Sequence, residues 1–433
     1  MEHRIETKGY FWVPSEPRDQ LAGILRFNQF EGIVLELFGQ FTTFIKIGSR
    51  DNNFILGFTP KGEKLTLMKC FEYSRSFGVP GFPLSSISAV YLFWGEHFTS
   101  TEQLFFDKMS IVYEDINTWL DISGFEKPLH NRDKKEIVLK YQKPQDLEYE
   151  VNPGWKVGVD FSFFSQLEYF IPTEMASIKQ VPEVVIRPVK KGKFDDFLKH
   201  FQSINSFLAI CYFTFPIIKS VEFSLQICEE EEISGEKFIK VALYFHHGID
   251  YKKYSKHDSA QRFLLTFKDL ALPFELVISK WFLLFDKIEA SIKILSNCFM
   301  NRKESTEFYF LGLCQAMENM HRRLSGNDRM SFLNRLEAMI EALPGNVRTG
   351  LLSNESNFAE RIRNNRNYFT HYDASREESK ASLNELFLLS EKMKIIIIAH
   401  LIMEIGFSQV QAEQIIIEKS GWLFNHLIQR HID

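Results

Sequence analysis

The chain has no excess of basic residues. Across 433 positions it carries 51 Lys and Arg against 56 Asp and Glu, a formal net charge of -5. That balance excludes the global electrostatic footprint of a protein that coats nucleic acid, so any phosphate contact has to come from a local patch. Cysteine is scarce and scattered: Cys70, Cys211, Cys228, Cys298 and Cys314 are odd in number and form no CxxC pair. This argues against a disulfide framework or a zinc site and fits a reducing cytoplasm. The N-terminal MEHRIETKGYFWV has no apolar signal core. Long hydrophobic runs are missing too. The most apolar stretch, Ile395 to Ile405, contains His400 and Glu404, is too short to span a bilayer and reads as a buried helix. There is no repeat of solenoid period and no low-complexity linker. The expectation is a soluble cytoplasmic protein whose domains pack against each other. His246-His247 has no second ligand cluster at a recognisable spacing, so neither a metal nor a cofactor is assigned.

What is abundant is phenylalanine, with 43 copies, which implies a large aromatic core and little disorder. The length exceeds one ordinary core, so two or three domains are expected. The fold class reads as α+β. Residues 1–270 are β-rich, sandwich or barrel-like, and divisible into 1–175 and 176–270. Short β-branched or aromatic runs such as Ile33 to Phe38, Leu65 to Met68 and Ala89 to Trp94 mark strands, separated by turns at Arg50 to Asn53 and Gly78 to Gly81. A helical turn is expected near Trp119-Leu120, strands at Glu136 to Tyr141, Trp155 to Phe164, Val184 to Arg187, Val221 to Ile227 and Phe238 to Tyr244, and a helix at Phe194 to Cys211. From residue 271 to 433 a helical period takes over. Helices are expected over Phe274 to Phe299 (one or two), Glu304 to Leu324, Arg329 to Leu343, Asn357 to Tyr372, Arg376 to Ile405 and Ser408 to His431. Such a series with short connections is an α bundle.

This helical part is neutral, with 19 Lys and Arg against 20 Asp and Glu over 271–433. One stretch departs from that evenness: Arg361 to Asp373, RIRNNRNYFTHYD. Only Glu360 lies near its three arginines in sequence. A local anion site on a neutral body suits one or two phosphates rather than a long duplex. The chemistry of cutting RNA without a metal is modest. A group near neutral pKa takes the 2′-hydroxyl proton, for which histidine is suited, and a fixed cation stabilises the phosphorane, for which arginine is suited. His371 is the candidate acid or base, Arg366 the phosphorane stabiliser, Asn367 the positioning group and Arg363 an auxiliary phosphate contact. At about 100° per residue, Arg363, Asn367 and His371 share one stripe, whereas Arg366 and His371 lie roughly 140° apart. Either the helix distorts there or a second copy of the same helix completes the site across a two-fold axis. The plainer reading is that Arg and Asn are common on exposed helices and that a lone His is structural. Arg361 is read as a solvated neighbour. Tyr372 either stacks a base or packs. Glu318 and His321 share a face. Glu318 either pairs with Arg322 on its own helix or crosses to the motif helix and pins Arg363 or Arg366. His200, His246, His257, His400 and His426 are read as structural.

Arg366-Asn367-Tyr368-Phe369-Thr370-His371 resembles the Arg-x4-His signature of HEPN domains, in its Arg-Asn-x3-His form. The stretch from Phe310 to Arg323 resembles the early helix of the ApeA-type HEPN group. Gly9 to Pro14, Gly23-Ile24-Leu25 and Trp119 to Gly124 resemble the N-terminal domain that accompanies it. The resemblance covers most of the chain and implies a HEPN core at about 304–431. It further implies a metal-independent endoribonuclease, paired as a homodimer or higher homo-oligomer. Its substrate would be cellular or phage RNA, tRNA included, and its role abortive infection against phage. A phage-derived trigger would act on the N-terminal region as sensor. A non-catalytic HEPN module that binds RNA or a protein partner is the rival reading; the intact Arg366 and His371 speak against it.

Overall fold

The computed structural model describes residues 4–41, 54–76, 81–127, 129–131, 135–165, 175–226, 238–246, 263–270, 273–300, 305–353, 355, 357–372, 377 and 380–419. Fourteen strands join in one antiparallel sheet. Its order is Leu147–Asn152, Trp155–Ser165, Ile178–Pro188, Lys108–Tyr113, Ile218–Gln226, Phe238–Phe245, Tyr91–Trp94, Lys64–Met68, Phe54–Phe58, Arg4–Trp12, Leu21–Asn28, Gly32–Leu37, Leu84–Ala89 and Phe71–Ser76. A sheet of this width has to curl rather than lie flat, and here it encloses two cores. Leu25, Phe27, Ile33, Leu35, Leu37, Ile55, Leu65, Leu67 and Leu92 belong to the first. Phe54, Met68 and Phe93 turn the opposite way, into the second. The three strands that carry them are therefore covered on both faces. Lys64–Met68 and Tyr91–Trp94 accordingly show apolar runs, while Leu21–Asn28 alternates.

Among the described residues, two α-helices lie within the β-rich part: α1 (Ile116–Leu120) and α2 (Phe194–Tyr212). The helical part follows: α3 (Phe274–Met300), α4 (Thr306–Ser325), α5 (Phe332–Glu341), α6 (Gly345–Leu352), α7 (Phe358–His371), α8 (Leu383–Glu404) and α9 (Gln409–Gln414). An α+β fold with its helices gathered at the C-terminal end is thus present. Helix α3 consists of two helical segments joined across a kink at Ile288 (φ -127°, ψ 31°). It packs on α2, on the strand Leu147–Asn152 and on α4. The fully buried Trp281 donates to the Ser203 carbonyl at 2.9 Å, and Ser291 donates to Asn319 of α4 at 2.8 Å. The second core consequently continues from the sheet through α3 into the bundle without a break.

Three local differences from the sequence reading have local causes. The sequence reading has no helix between Leu343 and Asn357, yet Pro344, at φ -53° and ψ 140°, sits at the N-cap of α6. Helix α8 starts at Leu383 rather than near Arg376. Ser382 and Glu385 form a capping box that satisfies its first N–H groups. Ser408 caps α9 as expected, after which Ile415–Lys419 forms a π turn; residues beyond 419 lie outside the described residues. The same holds for the turn at Arg50 to Asn53, most of Gly78 to Gly81, Cys228, His247, His257 and His426. Helix α8 is buried almost all round, with Ile395 to Ile398 inaccessible, which fits its unbroken apolar run. No helix among the described residues is long and apolar enough to cross a membrane.

Candidate functional site

Helix α7 carries the motif. It is an unbroken α-helix from Phe358 to His371, and the Thr370 hydroxyl donates to the Arg366 carbonyl at 2.6 Å. The distortion that would bring Arg366 and His371 onto one face is absent. Its apolar stripe of Phe358, Ile362 and Phe369 is buried, which fixes which way the polar residues look. Tyr372 ends the helix in the left-handed region at φ 50°. A non-glycine residue there costs roughly 1–2 kcal/mol, and the strain sits immediately after the candidate catalytic histidine.

The arginines of this stretch meet different fates. Arg366 is half-buried. Its Nη2 lies 3.5 Å from Glu318 of α4, its Nη1 donates to Asn367 Oδ1 at 3.3 Å, and its guanidinium lies 5.3 Å from the ring centroid of Phe332 on α5. Glu318 also accepts from Arg322 at 2.7 Å. Both readings of Glu318 therefore hold at once, and of the two cross-helix partners it takes Arg366. Arg363 instead bonds Asn364 Oδ1 at 3.0 and 3.2 Å and has no carboxylate partner among the described residues. Arg361 is no solvated neighbour. It reaches Glu355 at 3.2 Å and Glu385 at 3.7 Å, and Glu355 holds the buried Lys392 at 2.6 Å. The reason for the misreading is topological: Glu355 precedes the helix and Lys392 comes from α8.

His371 is exposed in the last turn of α7 and makes no hydrogen bond among the described residues. Tyr372 is exposed, its ring edge-on to Tyr368 and Phe369. Among the described residues, Asn367 bonds only Arg366. Asn365, also within the motif, is buried and structural. It donates to the Arg361 carbonyl at 2.9 Å and accepts from the Ala381 N–H at 2.7 Å, tethering the chain ahead of α8. The structure thus brings together Glu318, Arg366 and Asn367, and leaves His371 and Tyr372 one turn further on, around the helix.

Helix α5 supplies what sequence reasoning missed. Phe332 stacks on Arg366, and one turn later stands Arg335, with no exposed surface at all. Arg335 donates to the Asn327 carbonyl at 2.5 Å and to His321 Nδ1 at 3.3 Å. Asn327 is placed by Gly326, which closes α4 at φ 67°, a conformation glycine adopts without strain. Burial, then the Arg335 charge, then His400 hold the His321 imidazole below its ordinary range. Cys314, one turn before Glu318, is buried; burial pushes its thiol far up, and the nearby Arg366 only partly offsets this. No group of His, Cys, Asp and Glu suited to a metal occurs among the described residues. Single-sequence reading carries no signal for Phe332 or Arg335, since one looks like core and the other like surface.

Residues 6–281 match the family model described as ApeA N-terminal domain 1, and residues 286–411 match the one described as Apea-like HEPN. The two matches meet inside α3, just ahead of Ile288. No curated protein and no solved structure matches the chain.

Proposed function

The chain belongs to the ApeA-like HEPN proteins, a family of anti-phage function, and we propose that it is a metal-independent endoribonuclease acting by abortive infection. The observation that carries this reading is the pairing of an aimed arginine with an unencumbered histidine on one helix. Arg366 is held by Glu318, Asn367 and Phe332, while His371 stands exposed at the helix end. In this reading His371 acts as base or acid: the 2′-hydroxyl loses its proton, the 2′-oxygen attacks phosphorus, the bond to the 5′-oxygen breaks, and the leaving 5′-oxygen takes up a proton from an imidazolium or from water. Arg366 stabilises the phosphorane, with Asn367 positioning it and Arg363 as an auxiliary phosphate contact. The products are a 2′,3′-cyclic phosphate and a 5′-hydroxyl. Because α7 is regular, Arg366 and His371 stay roughly 140° apart, so a second copy's α7 across a two-fold axis completes the site. Homodimerisation through the bundle, and RNA as the partner, belong to the same proposal. Cellular RNA, with tRNA foremost, is the substrate whose loss would halt translation.

The N-terminal region, to about residue 270, is the proposed sensor and restraint, answering a phage-derived trigger. The continuous core supports mechanical coupling: α3 touches the sheet at one end and α4, which carries Glu318, at the other. A fragment 271–433 would expose Val277, Ile278 and Trp281 and is not a fair test of restraint. The test is to express wild type and His371→Ala, then sequence the RNA ends bearing 5′-hydroxyls. New ends are expected with wild type alone. Identical ends from both would sink the nuclease reading, and RNA binding without any cleavage would favour a non-catalytic HEPN module.

A further inference from the structure

Arg335 is an expensive side chain. Its charge is fully buried, no carboxylate among the described residues meets it, and its Nε has no hydrogen-bond partner. Buried cations ordinarily find an acid, because desolvation costs several kcal/mol otherwise. Arg335 finds instead a carbonyl and an imidazole. The imidazole contact has a strict consequence. A guanidinium only donates, so His321 Nδ1 must accept and carries no proton. Neutral His321 therefore holds its proton on Nε2, and protonating Nδ1 would set two N–H groups against each other. Ser325 does not relieve this, since its hydroxyl donates to the His321 carbonyl at 2.7 Å.

We propose that His321 is a ligand-contacting hydrogen-bond donor of the α4–α5–α7 site, its Nε2–H kept for a phosphate oxygen of bound RNA. His321 is half-exposed, and Nε2 has no partner among the described residues. It lies three residues after Glu318, hence on the face of α4 that Arg366 approaches. A neutral donor suits this place. It binds a phosphate oxygen without taking up the proton that His371 has to handle, and it adds no further cation beside Arg322 and Arg366. The charged and titratable groups around it are Glu318 and Arg322 on its own helix, Arg335 on α5, Arg366 on α7 and His400 on α8. Every neighbour but Glu318 is a cation or an imidazole, so its surroundings oppose its protonation. This rests on the proposed RNA chemistry of the same site, yet concerns a residue outside the Arg-x4-His motif.

The experiment uses the full-length protein and a mixed-sequence 2′-O-methyl oligoribonucleotide, which binds but cannot be cleaved. Affinity is measured for wild type, His321→Ala and His321→Gln, each with a thermal melt, and 15N imidazole spectra are recorded for wild type and Arg335→Gln. Expected is a loss of about tenfold in affinity for His321→Ala, the worth of one hydrogen bond to a charged group, with most of it regained in His321→Gln, which keeps a donor there. The spectra should show His321 neutral and protonated at Nε2 down to a lower pH in wild type than in Arg335→Gln. Equal affinity in His321→Ala, a wild type that binds no RNA, or a His321 protonated at Nδ1 would each overturn the proposal. Cleavage by wild type and His371→Ala, scored separately on unmodified RNA, tells whether the nuclease reading has failed instead.

Discussion

The two ends of α7 use the same residue types for opposite ends. At its start, Arg361 and Asn365 are tied into structure: Arg361 to Glu355 and Glu385, Asn365 to the Ala381 backbone. At its finish, among the described residues, Arg366 is aimed by one carboxylate at 3.5 Å and one ring, Asn367 bonds only Arg366, and His371 has no hydrogen-bond partner. The difference lies in the partners. The first half meets buried groups that would be left unsatisfied without it. The second half meets half-exposed groups that tolerate its departure. An arginine in a polar motif is a candidate for chemistry when its partners aim it without consuming it, and a structural element when they need it.

Substitutions at the two ends should therefore separate activity from stability. The largest effect expected is on activity at the far end. Arg366→Ala should lower RNA cleavage about a hundred- to a thousandfold, as loss of a transition-state charge stabiliser does, while the urea midpoint moves little. A large loss of stability with proportionate loss of activity would erase the contrast. Next comes Glu355→Ala at the near end, which leaves Lys392 buried without its acid and Arg361 without its closest one. Breaking a buried pair this way costs about 3–5 kcal/mol, read by urea denaturation, with cleavage per folded molecule unchanged. Asn365→Ala sharpens the comparison within the motif. It strands the buried Ala381 N–H and should destabilise by roughly 1–3 kcal/mol without altering the cleavage pattern.

How far the sequence revealed this depends on the distance over which each contact is made. Helical spacing exposes α4 and α7, since their apolar stripes are local, and α8 shows as an unbroken apolar run. The strands near 65–68 and 91–94 were visible as apolar runs although they do not alternate, because cover on both faces removes the polar half of the pattern. Glu318 and Arg366 were both singled out, but which arginine Glu318 takes is decided by how α4 crosses α7, not by spacing along either. Arg361 was misjudged for the same reason: its acid comes from ahead of the helix and the network's lysine from α8. Phe332 and Arg335 could not be found at all. Their roles come from stacking on Arg366 and bonding His321, two contacts between helices that no periodicity records.

The gentlest probe of the structural side is pH. His200 and His400 are packed rings on α2 and α8, each bonded to a backbone carbonyl. His200 Nδ1 donates to the Asp196 carbonyl at 2.7 Å, its Nε2 faces Asn152, and Trp155 stacks on it; His400 Nε2 donates to the Met339 carbonyl at 2.8 Å. Burial, the leading cause in both, holds their pKa values below the ordinary one. The sign follows from that direction. As pH falls through the unfolded value of about 6.5, the unfolded chain takes up protons that the folded one refuses, so stability is complete above that pH and is lost below it until the folded values are reached. The urea midpoint should accordingly drop between pH 7.5 and 5.5. His400→Gln and His200→Asn, each keeping the donor its carbonyl needs, should both flatten the drop. A slope unchanged by both substitutions would show that these rings are not the ones resisting protonation, and would return the burden to His321 and its buried arginine.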